Sequence, residues 1–292
     1  MKQIFFVLIL QNLIFSANLV IYYSSSLNGN LDGCTCKSAP KAGLVKRAFL
    51  LKELQNKNTE QSITVDTGDF FDIYPDVMTA NYLLPALNSI KFDAVCPGDQ
   101  EFINGLAFFR KITDTLPVVC ANLTITGQDF YKTYITVNKG KLRLAIIGII
   151  AKNTFRYFRN NDVVSKLTIN DEIATIKKTI EEVRSAHDCL ILLSHSGYDA
   201  DQEYAKAAGE LDVIISGHSQ TLLEKPRKIG NTLIVSSGDN GNLQGELMLE
   251  FKDGKITGYR HKLHYISYEK DPDEPAIRKM INTLKAERQG RP

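Results

Sequence analysis

The stretch LILLSHSGYDADQEYAKAAGELDVIISGHSQT, residues 190–221, holds two apolar runs, and each stops at a histidine, His195 and His218. Two other apolar runs stop at acidic residues: 62–66 empties into Thr67-Gly68-Asp69, and 92–96 into Pro97-Gly98-Asp99-Gln100-Glu101. Strand ends are where open α/β sheets place ligands, because a loop there presents side chains from a rigid base. Two carboxylates and two imidazoles so placed, Asp69, Asp99, His195 and His218, suit a borderline divalent ion such as Zn²⁺, Mn²⁺ or Fe²⁺. Such an ion lowers the pKa of bound water and polarises a phosphoryl oxygen, which makes phosphate-ester hydrolysis natural chemistry. Asn122, at another strand end, is a candidate substrate contact, and Gln220 stands beside His218. A single loop histidine is more often solvated than ligating. Two placed alike, in a chain with five, shift that balance, while His187, His261 and His264 read as structural. No Gly-x-Ser-x-Gly elbow or Gly-rich phosphate loop competes.

The elements that position these residues alternate between strand and helix. Strands are expected at 19–24, 62–66, 92–96 and 117–121, a hairpin at 131–150 turning at Asn138-Lys139-Gly140, and later strands at 190–194, 212–216, 232–237, 247–251 and 256–266. Apolar stripes predict helices at 43–54, 171–184 and 200–209, and a charged helix at 274–288. The helix through Leu83, Leu87 and Ile90 contains Pro85, so it is expected to start late or kink there. The alternation makes the fold class α/β.

With 292 residues and 43% hydrophobic content, the chain can bury a sizeable core as one large domain or two small ones. A net charge of +2, with lysines and arginines spread out, gives no support to nucleic-acid or membrane-surface binding. Residues 1–17, a Lys2 start, an apolar stretch 4–15 and small residues at 16–17, read as a signal peptide too short to span a bilayer, which implies a periplasmic or extracellular protein with no integral membrane span. The other reading is an uncleaved buried strand. Of five cysteines, Cys96, Cys120 and Cys189 fall in apolar runs and read as core, whereas Cys34-Thr35-Cys36 lies in a polar loop. Two readings of that pair stand: redox chemistry or metal capture, and a strained local disulfide or plain loop thiols.

The ordered set VDTGDFFD, LNSIKFDAVCPGDQEF, VVCANL, LAIIGI, LLSHSGYDAD and LDVIISGHSQT resembles the calcineurin-like metallophosphoesterases, and within them the 5′-nucleotidase branch. The likeness runs over about 19–267. It implies a four-layer αββα sandwich of two packed sheets, a metallophosphoesterase domain over 18–270 followed by a charged helix and tail at 271–292, and a small phosphorylated substrate such as a nucleotide. It also implies a reacting centre of Asp69, Asp99, Gln100 and His195, with the metal on Asp69, Asp99, His195 and His218. The loop 28–47 is similar to a subgroup that carries a thiol or selenocysteine there, at Cys34 and Cys36 in this chain.

The chain departs from that family at four places. Ser26-Leu27-Asn28 stands where Asp-x-His is usual, Gln100 where a histidine assists the leaving group, and Gln220 where a second histidine follows His218. Asp99 replaces an asparagine and remains an acceptable ligand. A second metal position would then keep the bridging Asp69 and otherwise only Ser26, Asn28 and Gln220. Members normally clamp the reacting oxygens between two metals about 4 Å apart. The expectation is therefore an exported hydrolase with one divalent metal and a depleted second site, the alternative being a non-hydrolytic metal- or thiol-dependent binding or redox protein on the same fold.

Overall fold

Alternation splits the first strand into Leu19, Ile21 and Tyr23 on one face and Val20 and Tyr22 on the other, and all five are buried. A strand buried on both faces lies between layers. The computed structural model, which describes residues 16–34, 40–127 and 132–290, places it so.

The first half of the chain runs β1 (Ser16–Ser24), α1 (Gly43–Lys57), β2 (Ser62–Asp66), α2 (Val77–Asn88), β3 (Ala94–Val95), α3 (Leu106–Thr115) and β4 (Leu123–Ile125). A hairpin β5 (Tyr134–Lys139) and β6 (Leu142–Ile150) follows, then α4 (Asn161–Val164), β7 (Leu167–Ile169) and α5 (Glu172–Val183). The last part is β8 (Cys189–His195), α6 (Tyr198–Ala207), β9 (Val213–Ser216), β10 (Arg227–Ile229), β11 (Thr232–Val235), β12 (Leu243–Lys252), β13 (Lys255–Tyr265) and α7 (Pro275–Gln289).

One sheet has the order β13-β12-β1-β2-β3, a second β10-β11-β9-β8-β6-β5, and β4 pairs with β7. Leu19, Ile21 and Tyr23 meet Ile191, Leu193, Val213 and Ile215 between the sheets. The outer face of the first sheet is covered by Leu44 and Leu51 of α1, Leu83 and Leu87 of α2, Phe109 of α3 and Ile277 and Ile281 of α7. That of the second is covered by Ile176 and Ile180 of α5 and Tyr204 of α6. The result is the four-layer αββα sandwich. β1 is central in its sheet, parallel to β2 and antiparallel to β12, with Leu19 opposite Leu249. α7 also ties down two loops, since Arg278 and Lys285 each lie 2.5 Å from Asp32 and Arg288 lies 2.5 Å from Asp76.

Several elements differ from the sequence expectation. The run 117–121 forms only isolated bridges, Val118 to Val95 and Val119 to Lys132, because it crosses between neighbours instead of lying along one. The strand that follows is β4, unforeseen because its partner β7 is equally short. α2 does not start late: it runs unbroken from Val77 to Asn88 with Pro85 inside it. Asp76 caps it by accepting the Thr79 N–H at 3.0 Å, and the burial of Leu83, Leu84, Ala86 and Leu87 outweighs the one hydrogen bond proline cannot donate. The expected signal peptide lies largely outside the described residues, as does Cys36, and Ser16 and Ala17 belong to β1. Among the described residues no helix is long and apolar enough to cross a membrane.

Candidate metal centre

Each of the four expected ligands leaves a different strand end. Asp69 and Asp99 follow β2 and β3 of the first sheet, while His195 ends β8 and His218 follows β9 of the second. His195 shares the parity of Cys189, Ile191 and Leu193, which face the first sheet, so its ring projects across the interface. Asp69 and His218 adopt left-handed backbone, φ 59° and 66°, a strained conformation for such residues that occurs where a loop must aim a side chain.

One ligand atom from each of Asp69, Asp99, His195 and His218 can be chosen so that all lie within 4.8 Å of one another. His195 Nε2 lies 3.4 Å from Asp69 Oδ2 and 3.5 Å from Asp99 Oδ1, and His218 Nδ1 lies 3.6 Å from Asp99 Oδ1. His195 Nδ1–H donates to the Thr67 carbonyl at 2.6 Å, which fixes the tautomer and leaves the Nε2 lone pair facing the carboxylates. His195 Nε2, His218 Nδ1 and Asp99 Oδ1 are buried without a hydrogen-bond partner. Buried polar atoms are normally satisfied, and three orphans converging on one point fit a cation.

The electrostatics agree. Burial alone would lower the pKa of His195, but Asp69 and Asp99 outweigh it and hold the imidazolium well above its ordinary value. Burial likewise opposes ionisation of Asp69, and His195, the Gln100 N–H and His218 together still draw its pKa down. Burial and the neighbouring His195 push His218 down, keeping it neutral. A field that holds a proton this firmly also attracts a divalent ion, and a neutral imidazole is the form that ligates.

Two supports were not foreseen as such. The Glu101 carboxylate, 1% exposed, accepts the backbone N–H groups of Asp69 at 2.9 Å, Phe70 at 2.8 Å and Gly98 at 2.5 Å, clamping both ligand loops of the first sheet together. Burial and the Asp69 charge raise its pKa to about 7 against these three donors. Its only sequence signal is an acidic residue two places after a ligand. Asp66 accepts the Gly68 N–H at 2.9 Å and the Ser24 hydroxyl at 2.5 Å, with the buried Arg47 guanidinium 3.7 Å away. At Gly98 any Cβ would collide with Asp69 Oδ1 and the His195 ring, so glycine is required there.

The remaining candidates separate. Ser26 and Asn28 are held against the Asp69 loop by backbone bonds of 2.9 Å to Gly68 and Asp69. Gln100 Nε2 donates to Asn28 Oδ1 at 3.2 Å, the Ser26 hydroxyl is buried without a partner, and Gln220 lines the same cleft as Asp69, Asp99 and His218. Asn122 does not fit a substrate contact: it is wholly buried, donates to the Ile150 and Asn170 carbonyls at 2.7 and 3.2 Å, and accepts the Ile150 N–H at 3.1 Å. Cys34 does not line the cleft and is bridged through its backbone to Lys41. Cys96, Cys120 and Cys189 are buried. His187, His261 and His264 hydrogen-bond to Val183, Tyr23 and Glu246 and do not join the group of four.

No protein-family model matches the chain. An apyrase of Tabanus yao is 29% identical over 288 residues, covering 87% of this chain and 50% of the apyrase. A 5′-nucleotidase precursor from Thermus thermophilus superposes with a TM-score of 0.83 at 20% identity, over 94% of this chain and 59% of that one. The calcineurin-like phosphoesterase YfkN of Bacillus subtilis superposes at 0.76 and 18% identity, over 93% and 98%. The chain spans about half the length of the apyrase it matches. Its curated relatives include apyrases and 5′-nucleotidases, and its fold is that of the metallophosphoesterases.

Proposed function

We propose that the protein is an exported, metal-dependent phosphoesterase of the nucleotidase type, acting on a small phosphorylated substrate such as a nucleotide through one well-equipped metal position and one depleted one. The observation that carries this reading is the convergence of His195 Nε2, His218 Nδ1 and Asp99 Oδ1 as buried, unpartnered atoms beside Asp69. A divalent ion held by these four residues would supply a water of lowered pKa and polarise the phosphoryl oxygen. The chain's own residues do the positioning. Thr67 keeps His195 in its ligating tautomer, and Glu101 holds the Asp69 and Gly98 backbones in register. Gln100, anchored on Asn28, lines the cleft and can donate a hydrogen bond to a leaving oxygen, but an amide cannot give up a proton near neutral pH. General acid help is typically worth about 10²–10⁴-fold, so turnover is slow and the leaving alcohol takes its proton from solvent.

The depleted second position is argued from Ser26, Asn28 and Gln220, which offer neutral oxygens where charged or imidazole ligands would bind more firmly. Residues 18–270 are read as the catalytic domain, closed by the helix that follows. Export is supported by the N-terminal pattern and by relatives that include a snake-venom 5′-nucleotidase. The test loads purified protein with Mn²⁺ or Zn²⁺ and follows both bound metal by native mass spectrometry and phosphate release. Metal bound by the wild type is lost in His195→Ala, and turnover is abolished in Asp69→Asn; undiminished turnover in Asp69→Asn sinks the reading.

A further inference from the structure

Asp69, Asp99 and His218 line the floor of an open cleft of about 810 Å³, within the range of small-molecule sites. Two loops supply its walls, one from each sheet. Ile73 and Tyr74 come from the loop after β2, and Tyr157, Phe158 and Arg159 from the loop after β6. Exposed apolar surface collects at this mouth: Tyr74 is 65% exposed, Tyr157 82% and Ile73 59%. The other large exposed hydrophobics among the described residues are Val77, Leu222, Tyr259 and Tyr265, none of which lines the cleft. The Arg156 guanidinium lies 5.5 Å from the centre of the Tyr157 ring, a cation–π contact that steadies the ring from its own loop while most of it remains open to solvent.

We infer that Tyr157 and Tyr74 are specificity-determining residues: their rings form a wall against which a planar aromatic group stacks while the phosphate it carries reaches the metal floor. This assignment rests on the phosphoesterase reading above and deepens it, selecting phosphate esters whose alcohol part bears an aromatic ring over purely aliphatic ones. Stacking suits the task because every heterocyclic or aryl ring has a π-face, so selection is for planarity and not for one base. Tyrosine supplies that surface at low entropic cost, having few rotors to freeze. Arg159, exposed on the same rim, gives the wall a positive edge for an anionic ester.

The experiment compares adenosine 5′-monophosphate with glycerol 3-phosphate, both primary alkyl esters, so the leaving groups are alike and the ring is the main difference. In metal-loaded wild type, kcat/KM is higher for the ringed ester, and in Tyr157→Ala and Tyr74→Ala the ratio of the two values falls about tenfold, within the range that base–aromatic stacking supports. Tyr157→Phe retains the ratio. A ratio within twofold of wild type in both alanine variants overturns the assignment. If the wild type hydrolyses neither ester, the phosphoesterase reading fails, and saturation-transfer NMR with adenosine decides the wall by itself. Transfer seen in the wild type and lost in Tyr157→Ala upholds it, and absence of transfer in the wild type refutes it. Both tyrosines are surface side chains, so the variants are expected to fold.

Discussion

Replacing Glu101 by glutamine separates the stability of the site from its capacity to bind metal. In the native clamp one carboxylate oxygen takes the Asp69 and Gly98 N–H groups and the other takes that of Phe70. An amide offers one oxygen, so the double acceptor position survives and the NH₂ faces the Phe70 N–H. Losing that charge-assisted bond costs about 1.5–3 kcal/mol. Against this, the carboxylate pays for its own burial: a rise from 4.5 to about 7 corresponds to about 3 kcal/mol released when the charge is removed. The two terms nearly cancel, so Glu101→Gln is expected to melt within a few degrees of the wild type in EDTA at neutral pH. Metal affinity has no such compensation, because the Asp69 and Gly98 backbones are no longer pulled together by a charge. Outer partners of metal ligands typically contribute about 10–100-fold in affinity. Isothermal titration with Mn²⁺ or Zn²⁺ should show a weakening of that size. An affinity within twofold of the wild type would refute the clamp.

Other expectations follow from buried groups. Asp201 of α6 is fully buried, and burial outweighs the nearby Ser194 and Ser216 hydroxyls to raise its pKa from 3.8 to about 7. A carboxyl raised in the folded state contributes stability that is present below pH 3.8 and is lost as pH rises through 7, so the protein becomes about 4 kcal/mol less stable across that window on this account. Asp201→Asn removes the dependence, and urea unfolding at pH 5 and pH 8 checks it: equal slopes in both proteins contradict the assignment. Gly98→Ala is expected to keep its circular dichroism spectrum and lose its metal, since the added methyl occupies the space of Asp69 Oδ1 and the His195 ring. Asn122→Ala breaks three hydrogen bonds, two of them buried, and is expected to lower stability by about 2–4 kcal/mol in denaturant, without a selective rise in KM.

That Asp69, Asp99, His195 and His218 come together was legible because each follows an apolar run, and a strand end is a position that sequence marks well. The α/β class followed from the alternation of strands and helices, whereas the four layers were implied by the resemblance to the metallophosphoesterases. Asn122 misled for the same reason that Asp99 did not: both are polar at a strand end, but Asn122 turns inward to bond Ile150, and only the neighbouring strand decides that. Asp66 and Arg47 carried no mark, because a buried charge is defined by partners elsewhere in the chain, as Asp66 is by Ser24 and Arg47. The strand expected at 117–121 failed because β-branched content reports fit to a half-buried surface, not the presence of a partner along its length.

The place of β1 governs how the molecule can assemble. Its two neighbours are β2, about forty residues on, and β12, with Leu19 facing Leu249. One edge of a central strand therefore waits for a segment made some 230 residues later, by the register of Leu19 with Leu249. Such long-range pairing slows folding, because the loop must close before any contact rewards it. Until then β1 presents a bare, apolar edge, the kind of surface that aggregates or is held by chaperones. A chain built this way cannot close its first sheet until most of it has been made.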